Sequence, residues 1–332
     1  MNDVVRDDRP GFSHEPVMRD EIVGLFADVP AGVVVDATVG GGGHSAALLD
    51  AHAHLRILGL DRDEVALAAA GERLARFGDR VDLRHERFDG LQDALDDLGI
   101  EEISGALFDL GVSSPQLDVG ERGFSYRNDG PLDMRMDRTE QWSADDVVNG
   151  YTEADLARVL RDHADERFAG RIARAIVAAR PIETTVQLAG IVVSAIPAPA
   201  RRRGGHPAKR TFQAIRIEVN RELDVLPIAL DAAIDATALG GRVAVLSYHS
   251  GEDRIVKERF RLAQTGGCTC PDGLPCVCGA VSTVRLVRRI HKTASTEESV
   301  SNPRAASVRL RAVEKITPAH TGGPNTIPVG EV

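Results

Sequence analysis

The chain has 332 residues and is 43% hydrophobic, which is enough for about two packed cores. Its net charge of −10 excludes a global basic field for nucleic acid, so any RNA contact must use a local patch. No signal peptide, long apolar run or lipidation motif is read, so a cytoplasmic protein outside the membrane is expected.

Residues 1 to 12 are polar and expected to be loose. An amphipathic helix through Ile22, Val23 and Phe26 follows, and Pro30-Ala31-Gly32 makes a turn. Val33, Val34 and Val35 read as a buried strand ending on Asp36, followed by Gly40 to Gly43, His44 and a helical pattern from Ala46. Strand, glycine turn and helix open a doubly wound α/β unit. A second strand, Arg56 to Leu60, ends on Asp61, and Val65 to Phe77 is helical. A third, Val81 to His85, precedes Phe88 and a helix over Leu91 to Leu98. A fourth, Ser104 to Leu110, carries Asp109 near its end. This alternation predicts a mostly parallel sheet with helices on both faces.

The pattern then changes. Gly111 to Arg138 is loop-rich, and Ser143 to Ile196 is helical, with Ser143, Thr152 and Thr184 or Thr185 as caps. Pro197 to Pro207 is a basic loop. From Phe212 the α/β pattern resumes, with helices over Ile215 to Leu226 and over Pro227 to Leu239, the second with its proline in the first turn. A strand over Arg242 to Leu246, a helix over Glu252 to Leu262 and final strands over Val284 to Ile290 and Val308 to Ile316 complete it. The expected organisation is an α/β domain in two parts, 1–114 and 212–316, around an inserted helical substrate-recognition domain, 115–211. A disordered tail, 317–332, follows.

The chemistry-bearing residues gather at strand ends, where open parallel sheets bind ligands. Asp61 suits a carboxylate that accepts the hydroxyls of a ribose, although it could instead cap the helix beginning near Asp63. The glycine loop lacks the G-x-G-x-x-G spacing of a dinucleotide site, which favours S-adenosylmethionine over NAD. The loop Asp109-Leu110-Gly111-Val112-Ser113-Ser114-Pro115-Gln116 is similar to the Asp/Asn/Ser-Pro-Pro-aromatic loop of amino-group methyltransferases. Acceptors in such a loop hold the N–H groups of an exocyclic amine and free its lone pair for in-line attack. Asp109, Ser113, Ser114 and Pro115 are therefore the candidates beside the reacting methyl.

The run from Asp109 to Asp137, DLGVSSPQLDVGERGFSYRNDGPLDMRMD, resembles the signature of the RsmH (MraW) family. Asp36 to Ser45, His206 to Asn220, Ser247 to Lys257 and Asn302 to Ser307 match further motifs, so the resemblance spans roughly residues 12 to 315. It implies a Rossmann-like S-adenosylmethionine-dependent methyltransferase acting on the N4 amine of a cytidine in 16S ribosomal RNA, in the decoding region. The small ribosomal subunit, or its RNA, is the implied partner. By position it implies cofactor contacts at Gly42, Gly43, His44, Asp61, Phe88, Asp109 and Gln116. Tyr248 stands where the family often shows Phe or Tyr, and Gly251 replaces the family's usual Leu, a change expected to loosen the entry to its helix. Gln116 stands where related enzymes place a base-stacking aromatic, leaving Phe124, Tyr126, Trp142, Phe212 and Tyr248 as stacking candidates.

Two clusters remain. Arg201, Arg202, Arg203, Lys209 and Arg210, with His206, form the stronger basic patch and are the RNA-binding candidates; Arg285, Arg288, Arg289 and Lys292 form a second. Arginine is the default cation of this chain, so solvated surface is the competing reading of both. Cys268, Cys270, Cys276 and Cys278 are all the cysteines, spaced C-x-C-x5-C-x-C, and suit either a structural zinc or reduced thiols. On residues alone, a non-catalytic binder of S-adenosylmethionine or RNA, a methyltransferase with another amine substrate, and an NAD-linked dehydrogenase stay open.

Overall fold

The computed structural model describes residues 16–201, 205–271, 277–288, 290–302 and 305–317. The polar start, the tail from Pro318, Arg202, Arg203, Cys276, Arg289, Pro303 and Arg304 lie outside the described residues.

The first half is an α/β run: α1 (Arg19–Leu25), β1 (Gly32–Asp36), α2 (Gly43–Ala51), β2 (Leu55–Asp61), α3 (Glu64–Leu74), β3 (Val81–His85), α4 (Leu91–Asp97) and β4 (Ile103–Asp109). A helical stretch follows with α5 (Ser114–Asp118), α6 (Glu153–Ala164), α7 (Ala169–Ala178), α8 (Thr185–Ala195), α9 (Ala198–Arg201) and α10 (Lys209–Asn220). The α/β body closes with α11 (Glu222–Ala236), β5 (Thr237–Ser247), α12 (Ser250–Thr265), β6 (Val284–Leu286), α13 (Thr296–Ser301) and β7 (Arg309–Lys315).

The strands form one sheet in the order β3-β2-β1-β4-β5-β7-β6. Strands β1 to β5 are parallel and β7 runs antiparallel between β5 and β6. β-branched and leucine-rich strands suit this position because both faces are covered. One face packs Val34, Ile57 and Leu107 against α1, α2 and α3; the other packs Val35, Leu58 and Phe108 against α4, α11 and α12. The direction of the chain reverses about β1 and β4, so the crevice at their carboxyl ends is the topological switch point.

A separate core lies in the helical stretch, formed by residues such as Met134, Val148, Leu156, Leu160, Ile172, Ile176, Leu188 and Val192. Thr152 caps α6, and Thr184 caps α8 through a capping box with Gln187. Ala208, Phe212, Ala214, Ile215 and Val219 belong to the same core, so α10 packs with the helical body although the sequence pattern places the return to the α/β body at residue 212.

Several boundaries differ from expectation. The helices expected over Ile215–Leu226 and Pro227–Leu239 divide instead at Arg221, which takes a left-handed conformation (φ 51). Pro227 sits inside α11. Tertiary bonding sets the break: the buried side chain of Asn220 accepts from the Met136 N–H and donates to the carbonyls of Met134 and Arg216. β5 runs back to Thr237 through Gly240 and Gly241, where its register against β4 shifts. A Cβ at Gly241 would meet the Ser104 carbonyl oxygen at 2.7 Å, so only glycine lets the strand pass there. Gly251 does not loosen its helix. His249 and Glu252 form a capping box over the first turn of α12, and a Cβ at Gly251 would lie 3.2 Å from the His249 ring and from Leu223.

Candidate active site

A cavity of about 530 Å³ opens at the carboxyl ends of β1, β2, β4 and β5. Its volume falls in the usual range for small-molecule sites, roughly 300–1,000 Å³.

The floor is the β1–α2 turn. Thr38, Val39, Gly40, Gly41, Gly43 and His44 line the cavity. Gly42 does not: it caps α2 at φ 73 and turns toward α3, where a Cβ would lie 3.1 Å from Leu74. Its glycine is thus required for helix packing. Gly40 and Gly41, which the family resemblance did not mark as contacts, bring bare backbone to the ligand space. Below the turn, the buried Asp36 carboxylate accepts from Ser45 at 2.6 Å and fixes the start of α2.

Asp61 ends β2 and lines the same cavity. It accepts from the N–H of Gly40 and of Asp63, each at 2.9 Å. It therefore steadies both the glycine turn and the entry to α3. The helix cap itself is Asp63, which accepts from the Val65 N–H. Burial pushes the Asp61 carboxyl up to about 6, against the lowering effect of its two backbone hydrogen bonds. Each carboxylate oxygen retains a lone pair for a further donor. Phe88 lines the cavity and stands edge-on to Phe108, with 6.0 Å between ring centroids.

Asp109 ends β4. Its Oδ1 accepts from the Tyr248 hydroxyl at 2.6 Å, and its Oδ2 lies 3.5 Å from His44 Nδ1. Burial raises its pKa; the charge of His44 and the Tyr248 hydrogen bond oppose this. Burial and the adjacent Asp109 charge raise the Tyr248 phenol further, so it stays a neutral donor. His44 Nε2 meets the Val17 carbonyl at 2.9 Å, which leaves Nδ1 facing Asp109. After Asp109, Gly111 takes φ 112 directly beside the Tyr248 ring. Ser113 lines the cavity with its buried Oγ lacking a hydrogen-bond partner among the described residues. A buried hydroxyl in a cavity wall can meet a ligand atom or an ordered water. Ser114 and Pro115 open α5.

Gln116 is buried and lines the cavity, but its amide is already engaged. It accepts from the Ser113 N–H and donates to Asp63. Asp63 also takes Arg122 Nη1 at 2.8 Å in an ion pair buried on both sides. Arg122 donates onward to the carbonyls of Arg135 and Met136, while Arg62 donates to the Asn220 carbonyl. Arg62 and Asp63 therefore seam the α/β body to the 115–137 loop and to α10. Sequence reasoning missed this seam. The only signal for it was an Arg-Asp pair directly after Asp61, which spacing does not distinguish from solvated charge.

The helical side of the cavity includes Phe124, Tyr126, Lys209, Phe212, Gln213 and Arg216. Arg216 forms a two-point ion pair with Glu222, both bonds 2.8 Å. Of the stacking candidates, Phe124 and Phe212 are buried, and Tyr248 is held by Asp109. Trp142 lies in a separate groove with Tyr151 and His163. Tyr126 is partly exposed and lies flat on His206, with centroids 4.4 Å apart. The described members of the basic patch, Arg201, Lys209 and Arg210, are dispersed. Arg201 donates to the carbonyls of Ile196 and Ser194, Arg210 to that of Asp165, and only Lys209 of the three reaches the cavity.

Glycine backbone, a strand-end carboxylate and an aromatic wall share one crevice of a 3-2-1-4-5-7-6 sheet. This combination defines the class of S-adenosylmethionine-dependent α/β methyltransferases. The model of the MraW methylase family matches residues 11–316, and the chain belongs to that family. Among its curated relatives is the ribosomal RNA small subunit methyltransferase H of Thermobifida fusca, 51% identical and aligned over 92% of this chain and 94% of its own. The proteins of the same name from Frankia alni and Symbiobacterium thermophilum are 54% and 52% identical, each over 92% of this chain and 96% and 97% of their own. The solved structure of an rRNA methylase from Streptococcus thermophilus superposes loosely, with a TM-score of 0.39 and 14% identity over 90% of this chain and 94% of that one. No described helix is long and apolar enough to cross a membrane.

Proposed function

We propose that this protein methylates the N4 amine of a cytidine in small-subunit ribosomal RNA, in the decoding region. The observation that carries this reading is the Tyr248–Asp109–His44 cluster, which faces the same cavity as Gly40, Gly41 and Asp61. The names of the relatives supply the RNA class.

When bound, S-adenosylmethionine supplies an electrophilic methyl group on a sulfonium. Gly40, Gly41 and Gly43 would hold its amino-acid part, Asp61 its ribose hydroxyls and Phe88 its adenine. His44 and Gln116 act as positioning residues, the first on Asp109 and the second on the Ser113 backbone. Asp109 accepts an N–H of the target amine, which leaves the nitrogen lone pair less delocalised into the ring. Once the nitrogen carries the methyl, Asp109 is also the acceptor for the surplus proton, a task its raised pKa favours. Tyr248 keeps one carboxylate oxygen occupied and so fixes which oxygen faces the amine. The target base must be unpaired or flipped to reach this depth, and Tyr126 offers it an aromatic face.

The 115–211 segment acts as the substrate-recognition wall over the methyl donor. Lys209 and the Arg201–Arg210 loop contribute phosphate contacts. The test is transfer of labelled methyl from S-adenosylmethionine to small subunits from a strain lacking the enzyme, followed by mass spectrometry of the digested RNA. Label on a cytidine N4 in the decoding region supports the reading. Label on another base, or on protein alone, removes it.

A further inference from the structure

We propose that Cys268, Cys270 and Cys278 bind a zinc ion that staples the loop between α12 and β6. The three Sγ atoms all lie within 4.8 Å of one another, and those of Cys268 and Cys278 are 3.6 Å apart. A tetrahedral zinc with Zn–S bonds of about 2.3 Å requires sulfur–sulfur edges of about 3.8 Å. The thiols thus stand close to the spacing of one face of a metal tetrahedron. The backbone is shaped to bring them there. Gly266 and Gly267 take φ 61 and 73 just before Cys268, and Gly279 takes φ 74 just after Cys278. A Cβ at Gly266 would lie 2.3 Å from the Val281 carbonyl oxygen, so the two limbs of the loop cross in direct backbone contact.

Among the described residues of this turn, apolar burial is slight. Val277 and Val281 are 88% and 63% exposed, and Cys268 and Cys270 are only partly buried. Backbone hydrogen bonds from Gly267 to Leu262, Cys268 to Thr265 and Thr283 to Ala263 anchor its two limbs, and a metal held by the thiols would tie the limbs to each other. Soft thiolates select zinc among the abundant divalent cations, and loss of their protons makes binding pH-dependent. The site is structural. It follows the carboxyl end of α12, whose sixteen residues span about 24 Å from the capping His249 at the cavity.

The test is metal analysis of the full chain purified without chelators or a polyhistidine tag. About one zinc per chain is expected, with loss of the ion in Cys268→Ser and Cys278→Ser. Cobalt(II) offered to the metal-free protein should give thiolate charge-transfer and tetrahedral ligand-field absorption. Metal loss should lower Tm while methyl transfer persists below the new transition. Wild-type thiols should resist alkylation until a chelator is added, a readout that holds even where a variant fails to fold. Three results overturn the proposal: no zinc after exposure to zinc alone, an intact-mass deficit showing a disulfide in protein handled anaerobically, or full zinc content in the folded Cys268→Ser and Cys278→Ser variants.

Discussion

On the α/β side of the cavity, Gly40, Gly41, Asp61 and Asp109 each stand at the end of a strand or in the turn that follows it. The sheet places them, and their spacing along the chain is the ordinary length of a β-α repeat. On the helical side, Gln116, Phe124, Lys209 and Arg216 come from loops and helices that no such repeat relates. They are held by buried polar bonds to the α/β body: Asp63 with Arg122 and Gln116, and Arg62 with Asn220. One wall is set by topology and the other by a few specific side-chain pairs. The first should therefore tolerate substitutions away from its ligand contacts, while the second should come loose when a single pair is broken.

Asp109→Asn tests the first wall most severely. It keeps shape but removes the charged acceptor, so methyl transfer should fall by about 10²–10⁴-fold while S-adenosylmethionine affinity changes less than in Asp61→Ala. Burial raises the Asp109 pKa, so the carboxylate is lost as pH falls through that raised value. The wild-type single-turnover rate should fall on the acid side, and the variant should lack that limb. A variant with wild-type turnover would remove Asp109 from the chemistry.

Arg122→Met tests the second wall. It leaves the Asp63 charge buried without its ion-pair partner, which should cost about 3–5 kcal/mol of stability. Denaturant unfolding monitored through Trp142, the single tryptophan, would report it. A loss below about 1 kcal/mol, the scale of an exposed pair, would mean that the seam carries little of the helical wall.

Asp61→Ala should weaken S-adenosylmethionine binding by about 1.5–3 kcal/mol, the scale of hydrogen bonds to a charged group, with the helical wall intact. Burial pushes the wild-type carboxyl up to about 6. Ribose hydroxyls donate to its ionised form, so cofactor binding should release a proton near or below pH 6, and affinity should decline as pH falls further. Calorimetry across buffers of differing ionisation enthalpy would measure both, and equal affinity in the folded variant would exclude a ribose role.

The smallest effect is expected at the outer edge of the helical wall. Replacing Arg201, Arg202 and Arg203 by Ala should weaken RNA binding. Its salt dependence should flatten by at most about 0.7 log units for each phosphate that is no longer neutralised. Cofactor affinity should not move. Arg201 already spends donors on Ile196 and Ser194, so its own share should be small. Filter binding over a salt series with an unchanged slope would shift the RNA path toward Arg285 to Lys292.

The sequence by itself determined the parallel sheet, the crevice and the α/β wall. Alternating strand and helix periods leave only a few ways to bury both faces of a sheet, and strand ends then meet at the switch point. Asp61 and Asp109 were legible because the repeat counts them into place. Tertiary structure alone decided what depends on partners distant in the chain. It turned Gly42 toward Leu74, engaged Gln116 with Asp63, joined Tyr248 to Asp109 and moved a helix break to Arg221. Each of these is fixed by a buried polar group or a steric contact that must be satisfied by whichever residue the fold brings near. A local period or motif carries no record of that residue, because the energy belongs to the pair and appears only when the chain has closed around it.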